Sequence, residues 1–244
     1  VETETMTYKV FQWASGGVGA HTTRAAIERS SLELIGMHVH TDTKVGMDAG
    51  ELIGMDPVGV AATSDIEVIK ASDADVVIHT PLPSLVAGEK EDQDLDDFCE
   101  LLSSGKNVIT VVGYMYPKVY GEAVVNRLED ACRQGNVSFH STGLNPGWMG
   151  DLLPMYLSAL CERVDLIHVQ EVSRFDGFPS AEIMFDSMGF NATPDEYASK
   201  IKGRKKWLDG LFSESVQMVA DGLDMGVTEV ASSLETVLAE EDLN

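Results

Sequence analysis

Three things are scarce in this chain, and each scarcity excludes something. None of its 244 residues falls in a run of eighteen apolar side chains, so no segment reads as a membrane span. The first residues, VETETMTYKV, have neither the basic nor the apolar region of a secretory signal, which predicts a cytoplasmic protein. Three cysteines, Cys99, Cys132 and Cys161, stand far apart on the apolar faces of helical patterns. Reduced core thiols are expected, and neither a disulfide framework nor a zinc ribbon is supported. Positive charge is the third shortage. Seventeen Lys and Arg face forty Asp and Glu, a net charge of −23, which argues against nucleic acid or an anionic membrane as partner. Such a surface serves solubility, or adaptation to salt. With cations so few, Lys44 stands out as a candidate phosphate contact.

Core material, by contrast, is plentiful. Apolar residues make up 44% and charged residues 23%, as in an ordinary globular protein, and the length allows one large domain or two small ones. Strand and helix patterns alternate through residues 1–145, the signature of a doubly wound parallel sheet. Apolar strands are expected near Val10–Trp13, Leu34–Val39, Gly59–Ala61, Asp75–His79, Asn107–Val112 and Asn136–Ser141. Helical stripes run through residues 92–104 (Leu95, Phe98, Cys99, Leu101, Leu102) and through Val124–Cys132, with Gly135 ending the latter. After the turn-rich Gly143-Leu144-Asn145-Pro146-Gly147 the texture changes. An apolar helix is expected over Asp151–Cys161 and an alternating strand over Val164–Val172. Residues 146–244 thus read as a second, α+β domain, for substrate and dimerisation. A lone strand with helices leaves it apparently truncated.

The stretch from Tyr8 to Ile27 carries the clearest chemistry. An apolar strand breaks into Ala14-Ser15-Gly16-Gly17-Val18-Gly19, and an amphipathic helix follows. Strand, glycine turn and helix in that order cradle a dinucleotide pyrophosphate. The backbone approaches the phosphates at Gly16, Gly19 allows close helix packing, and the helix N-terminus offers free N–H groups to the anion. Ala14 stands where G-x-G-x-x-G has its first glycine. Phosphate and ribose contacts are expected from Ser15, Gly16, Gly17, Val18 and Gly19. Cofactor choice is read at the end of the second strand. His40, Thr41 and Lys44 there favour the extra phosphate of NADP; Asp42 argues for NAD. Thr80, Pro81 and Leu82 end the fourth strand, and Val112 and Gly113 the fifth, at the edge where ligands bind. Asn145 and Pro146 sit where an amide could orient the nicotinamide.

Taken in order, the glycine turn, VGMDAGEL (45–52), SGKNV (104–108), GLNPG (143–147) and SMGF (187–190) resemble the dihydrodipicolinate-reductase-like oxidoreductases. The resemblance is nearest the branch holding 2,4-diaminopentanoate dehydrogenase and the native amine dehydrogenases. It spans most of residues 8–200. It implies a Rossmann domain, a mixed α/β substrate domain, often a homodimer, and NAD(P)-dependent hydride transfer at a C=N or C–NH2 carbon of a small substrate. The amine dehydrogenase branch carries a catalytic glutamate after the fifth strand, before a Tyr-Pro pair. Here Val111-Val112-Gly113-Tyr114-Met115-Tyr116-Pro117 has no carboxylate. The His-His pair and lysine of dihydrodipicolinate reductase are likewise absent from Glu171-Val172-Ser173-Arg174-Phe175-Asp176.

Catalytic candidates by position are therefore Tyr114 and Glu171, with Tyr116, His140, Arg174 and Asp176 as substrate contacts. Each has a plainer reading. The tyrosines suit amphipathic core positions, and His140 lies in a strand that reads as buried, where a satisfied core histidine fits. Glu171 and Arg174 would either pair across a cleft or hold substrate. His38 and His40 share a strand face, but no third ligand lies at metal-binding spacing. Two alternatives stay open: a dehydrogenase for a carbonyl or hydroxyl of a carboxylated metabolite, and a dinucleotide-binding protein without catalysis.

Overall fold

In a computed structural model the described residues are 6–84, 90, 92–174, 177 and 180–238, with the side chains of 182 and 200–208 excepted. The chain divides into two compact units. The first comprises residues up to Gly113 together with Tyr120–Thr142; the second comprises Tyr114–Val119 and the residues from Gly143 onward.

The first unit is a Rossmann-type α/β layer structure. Six strands, β1 (Tyr8–Trp13), β2 (Leu32–His38), β3 (Ala62–Thr63), β4 (Val76–His79), β5 (Asn107–Thr110) and β6 (Phe139–Ser141), lie in the order β3-β2-β1-β4-β5-β6. All pairings between them are parallel. This is the doubly wound order that reverses beside β1, where open α/β sheets bind their ligands. Helices α1 (Gly17–Glu28), α2 (Ala49–Leu52), α3 (Ile66–Ala71), α4 (Gln93–Ser103) and α5 (Glu122–Gly135) supply the crossovers. Val10, Phe11, Val77, Val108, Leu95, Phe98, Leu101 and Leu102 fill the core between sheet and helices. The strand register has a consequence for function. His38, Trp13, His79, Thr110 and Ser141 lie side by side, each the last residue of its strand.

Two polar features shape the loops. Asp48 caps α2 and accepts hydrogen bonds from the amides of Gly50, Val58 and Gly59. This pulls VGMDAGEL into a hairpin-like turn against Met37, Val39 and Ala62. Gly135 does not end α5 through its own freedom, as its position suggested. Asn136 takes the left-handed conformation there (φ 54°). A Cβ on Gly135 would lie 1.8 Å from the Leu102 carbonyl oxygen, so its lack of a side chain serves α4–α5 packing instead.

The second unit holds helices α6 (Leu152–Ser158) and α7 (Pro194–Gly222) with a π-type turn over Glu182–Ser187. Thr193 and Glu196 form a capping box at the start of α7, with Pro194 in its first turn, so its orphan amides are satisfied locally. Three expectations fail in this unit. Val164–Val172 makes no strand. Its alternation is real, but no strand among the described residues pairs with it, and Leu166 and Val172 are exposed. The helix expected to reach Cys161 stops at Ser158 and closes with short-range bonds from Leu160 to Leu157 and Cys161 to Ser158. Cys161 is therefore exposed rather than a core thiol, while Cys99 and Cys132 are half-buried. In the first unit, His140 is exposed, because β6 is an edge strand bonded to β5 alone.

Candidate dinucleotide site

The turn between β1 and α1 is held from below by one buried side chain. Gln12, fully buried, donates through Nε2 to the carbonyls of Trp13 and Ala14 (3.1 Å each) and to Thr80 Oγ1 (2.8 Å). Its Oε1 accepts from Thr22 Oγ1 of α1 at 2.7 Å. Thr80 closes the ring by donating to the Trp13 carbonyl. One carboxamide thus joins β1, the turn, α1 and the end of β4. Thr80 was expected near the cofactor; its hydroxyl is buried and engaged in this ring.

Ala14 has φ 77°, the left-handed region for which the motif's usual first residue is glycine. An alanine there costs about 1 kcal/mol, and the bonds from Gln12 to its carbonyl and from its N–H to His38 O (2.9 Å) hold it there. Gly19 is the close-approach residue: a Cβ would lie 2.2 Å from the Ala14 oxygen and 3.0 Å from Thr80 Oγ1. Gly16, by contrast, is exposed and has nothing within 4 Å of an added Cβ, leaving the space above the turn open.

Helix α1 begins here without a side-chain cap and without an acidic residue in its first turn. Its first amides are therefore left for an anion, with the positive end of the helix dipole behind them. Over the turn reaches Lys44, whose Nζ donates to Ser15 Oγ at 3.1 Å. Lys44 closes a short 3-10 turn (Asp42–Lys44) that Thr41 precedes. So Ser15, Gly16, Gly17, Val18, Gly19 and Lys44 converge on one spot, with Thr41 exposed on the neighbouring turn. An uncapped helix, open space and the Lys44 cation fit a dinucleotide phosphate.

Beneath the turn lies a ring cluster that the strand-by-strand sequence pattern did not reveal. Trp13 stacks 4.2 Å from His38 and 5.2 Å from His79 by ring centroids, and His79 meets Phe98 edge-on at 4.9 Å. Burial, helped by nearby His40, pushes His38 down to about 4. Burial, then His40 and His38, pushes His79 down to about 3. Both are neutral at pH 7. His79 Nδ1 meets Thr110 Oγ1 at 3.0 Å and His38 Nε2 meets the Ser64 carbonyl at 3.2 Å. Their other nitrogens are buried without partners. The available signal was that three neighbouring strands each end in a ring residue. Among the described residues no group of three His, Cys, Asp or Glu is arranged to hold a metal ion.

Other expected site residues gather in the second unit. Tyr114 (φ 62°) and Tyr116 donate their backbone N–H groups to Glu214 of α7, at 3.0 and 2.7 Å, and Glu214 is fully buried. The Tyr116 hydroxyl donates to Asp221 one helical stretch further on, and burial followed by Asp221 raises its pKa. The next residue, Ser215, donates to the buried Asp151, which also accepts from the Gly147 amide at 2.7 Å. Adjacent residues of α7 thus tie down both GYMYP and GLNPG. Sequence reading missed Glu214, which sits in an unremarkable helical pattern a hundred residues from its partners. Asn145 donates to Glu171, which also accepts from Ser173, and these bonds, Asn145 first, hold the Glu171 carboxyl below its usual range. Arg174 is exposed, and Asp176 lies outside the described residues. Pro81 and Leu82 are half-buried after β4, and Val112 and Gly113 are buried after β5.

Residues 13–89 match the family described as dihydrodipicolinate reductase, N-terminus. The matched stretch lies within the first unit and runs from the end of β1 past β4. The chain is also similar to amine-acting dehydrogenases. It is 33% identical over 165 residues to an amine dehydrogenase of Streptomyces virginiae, covering 66% of this chain and 44% of that protein. It is 22% identical to 2,4-diaminopentanoate dehydrogenase of Acetoanaerobium sticklandii, covering 96% of this chain and 65% of the relative. The fold matches the structure of an amine dehydrogenase from Mycobacterium smegmatis with TM-score 0.64 at 15% identity, over 87% of this chain and 62% of that one. The chain thus spans less than two thirds of the length of each of these proteins. No helix among the described residues is long and apolar enough to cross a membrane.

Proposed function

We propose that this chain is an NAD(P)-dependent oxidoreductase that transfers hydride to or from a C=N or C–NH2 carbon of a small substrate, with NADP as the cofactor. The observation that carries the reading is Lys44 bonded to Ser15 over the uncapped start of α1. The amides of Gly17, Val18 and Gly19 would hold the pyrophosphate, and Lys44, with His40 and Thr41 nearby in sequence, would meet the 2′-phosphate. The nicotinamide supplies the hydride chemistry, and the protein's part is orientation.

Glu171 of the second unit would serve the nitrogen end. It is exposed, and two donors keep it ionised at neutral pH, which suits holding a substrate ammonium better than donating a proton. The names of the relatives support the amine reading. The missing carboxylate in GYMYP favours the second one, a dehydrogenase acting on a carbonyl or hydroxyl.

The deciding experiment follows NADPH and NADH consumption with a panel of small ketones and aldehydes, with and without ammonia. Ammonia-dependent turnover supports the amine reading, and ammonia-independent turnover replaces it with the second. Lys44→Ala should weaken NADPH about tenfold, the scale of one charge-assisted phosphate contact, and leave NADH within twofold. Equal losses for both dinucleotides would overturn the assignment of NADP.

A further inference from the structure

His40 was expected to help recognise phosphate as a basic residue. Its surroundings give it a different character. Trp13 Nε1 donates to His40 Nε2 at 3.0 Å, and the indole N–H can only donate. His40 Nε2 must then carry a lone pair, so the ring is neutral and its proton sits on Nδ1. Trp13 has little freedom to release this bond, because it is packed among His38 and His79 as the last residue of a central strand. The groups facing His40 are Trp13 from β1 and His38 from β2, whose ring is 5.1 Å away edge-on, with His79 of β4 coupled to it electrostatically. Asp42 and Lys44 follow on its own turn. Burial lowers the His40 pKa as well, in the same direction as the bond. His40 is nonetheless exposed on one side, and no described protein group bonds Nδ1.

We propose that Trp13 is a specificity-determining residue of the dinucleotide site: its indole N–H locks His40 as the neutral Nδ1–H tautomer, an uncharged donor to the ribose end of the cofactor. The inference rests on the dinucleotide reading above and deepens it. A neutral N–H bonds a ribose hydroxyl and a phosphate oxygen alike, whereas an imidazolium would favour the phosphate strongly. The lock therefore removes His40 from the choice between NAD and NADP. Lys44 is left as the cation that makes the distinction.

The test has two arms. In the first, the whole chain is labelled with 15N-histidine, and the His40 signals are identified by their loss in His40→Asn. The expected spectrum shows a protonated Nδ1 and an unprotonated Nε2, unchanged from pH 8 to pH 5.5. A protonated Nε2, or a titration midpoint near the ordinary 6.5, overturns the lock. This arm needs neither ligand nor turnover, so it stands if Trp13 variants fold poorly. In the second, the ratio of NADH to NADPH dissociation constants is measured at pH 6 and pH 8 for the unaltered chain and for Trp13→Phe.

Freeing Nε2 lets His40 protonate beside the phosphate. The preference for NADPH should then rise about fivefold to tenfold at pH 6, hardly change at pH 8, and not rise in the Trp13→Phe, His40→Asn double variant. An unchanged ratio in a folded Trp13→Phe chain overturns the inference while leaving the dinucleotide reading intact. Failure of the unaltered chain to bind either dinucleotide overturns both.

Discussion

Acid should loosen the first unit through His79, and the size of the effect can be worked out. In the unfolded chain the imidazole titrates near 6.5, and in the folded chain its pKa is pushed down to about 3. A folded pKa below the unfolded one gives stability that is present above pH 6.5 and lost as pH falls toward 3. Between pH 7 and pH 5 the unfolded state gains about 0.7 of a proton that the folded state does not. At about 1.4 kcal/mol per pH unit below 6.5, this single group removes about 2 kcal/mol. His38, pushed to about 4, acts in the same direction over the same interval. Asp97 acts the other way, since burial raises its carboxyl to about 6 and folding takes up a proton there. Net charge adds a further pH dependence, so the clean quantity is a difference between variants.

Replacing His79 by phenylalanine keeps a ring beside Trp13 and Phe98 and removes the titrating nitrogens. Urea unfolding of the first unit would be followed through Trp13 fluorescence, with Trp148 and Trp207 replaced by phenylalanine. On going from pH 7 to pH 5 the His79→Phe chain should lose about 2 kcal/mol less than its parent. At an m-value of about 2 kcal/mol per molar, this is about 1 M in midpoint. Equal losses in the two chains would refute the reasoning, because they would mean that His79 is already charged, or already hydrated, in the folded state.

Two further outcomes follow from the loops. Gly19→Ala places a methyl 2.2 Å from the Ala14 oxygen, so the first turn of α1 must shift. Stability should fall by about 1–3 kcal/mol, and calorimetric dinucleotide affinity by tenfold or more, while Gly16→Ala, which meets nothing, leaves stability within about 0.5 kcal/mol. Glu214→Gln turns one acceptor of two backbone amides into a donor. The mismatch should cost about 1–3 kcal/mol. It should appear as faster hydrogen exchange at Tyr114 and Tyr116, with the amides of β1 and β4 unchanged.

Much of the first unit was legible because its signals are local. The central strands β1, β4 and β5 carry buried apolar residues in short runs, and each amphipathic helix shows its stripe within one window. The close approach at Gly19 was likewise readable, since the motif's geometry dictates it, and Lys44 stood out as a rare cation just after the second strand. What escaped was lateral. The row Trp13, His38, His79 exists only once strand register is known, and the Gln12 network links residues nearly seventy positions apart. The second unit was less legible still. The alternation in Val164–Val172 has no paired strand among the described residues to express it, and Glu214 shows its purpose only through amides that carry no side-chain signature.

The carboxamide of Gln12 has a thermodynamic meaning beyond holding a turn together. Its four partners hold the backbone at the entry to the glycine turn in the free protein, so less conformational entropy would remain to be lost on binding at the proposed anion site. A looser turn could bind the same ligand through the same amides, but part of each contact would be spent on ordering the loop. In the proposed site that part of the backbone is bonded before the encounter. Its binding enthalpy should pass into affinity nearly undiminished, and the entropy cost should fall mainly on the ligand.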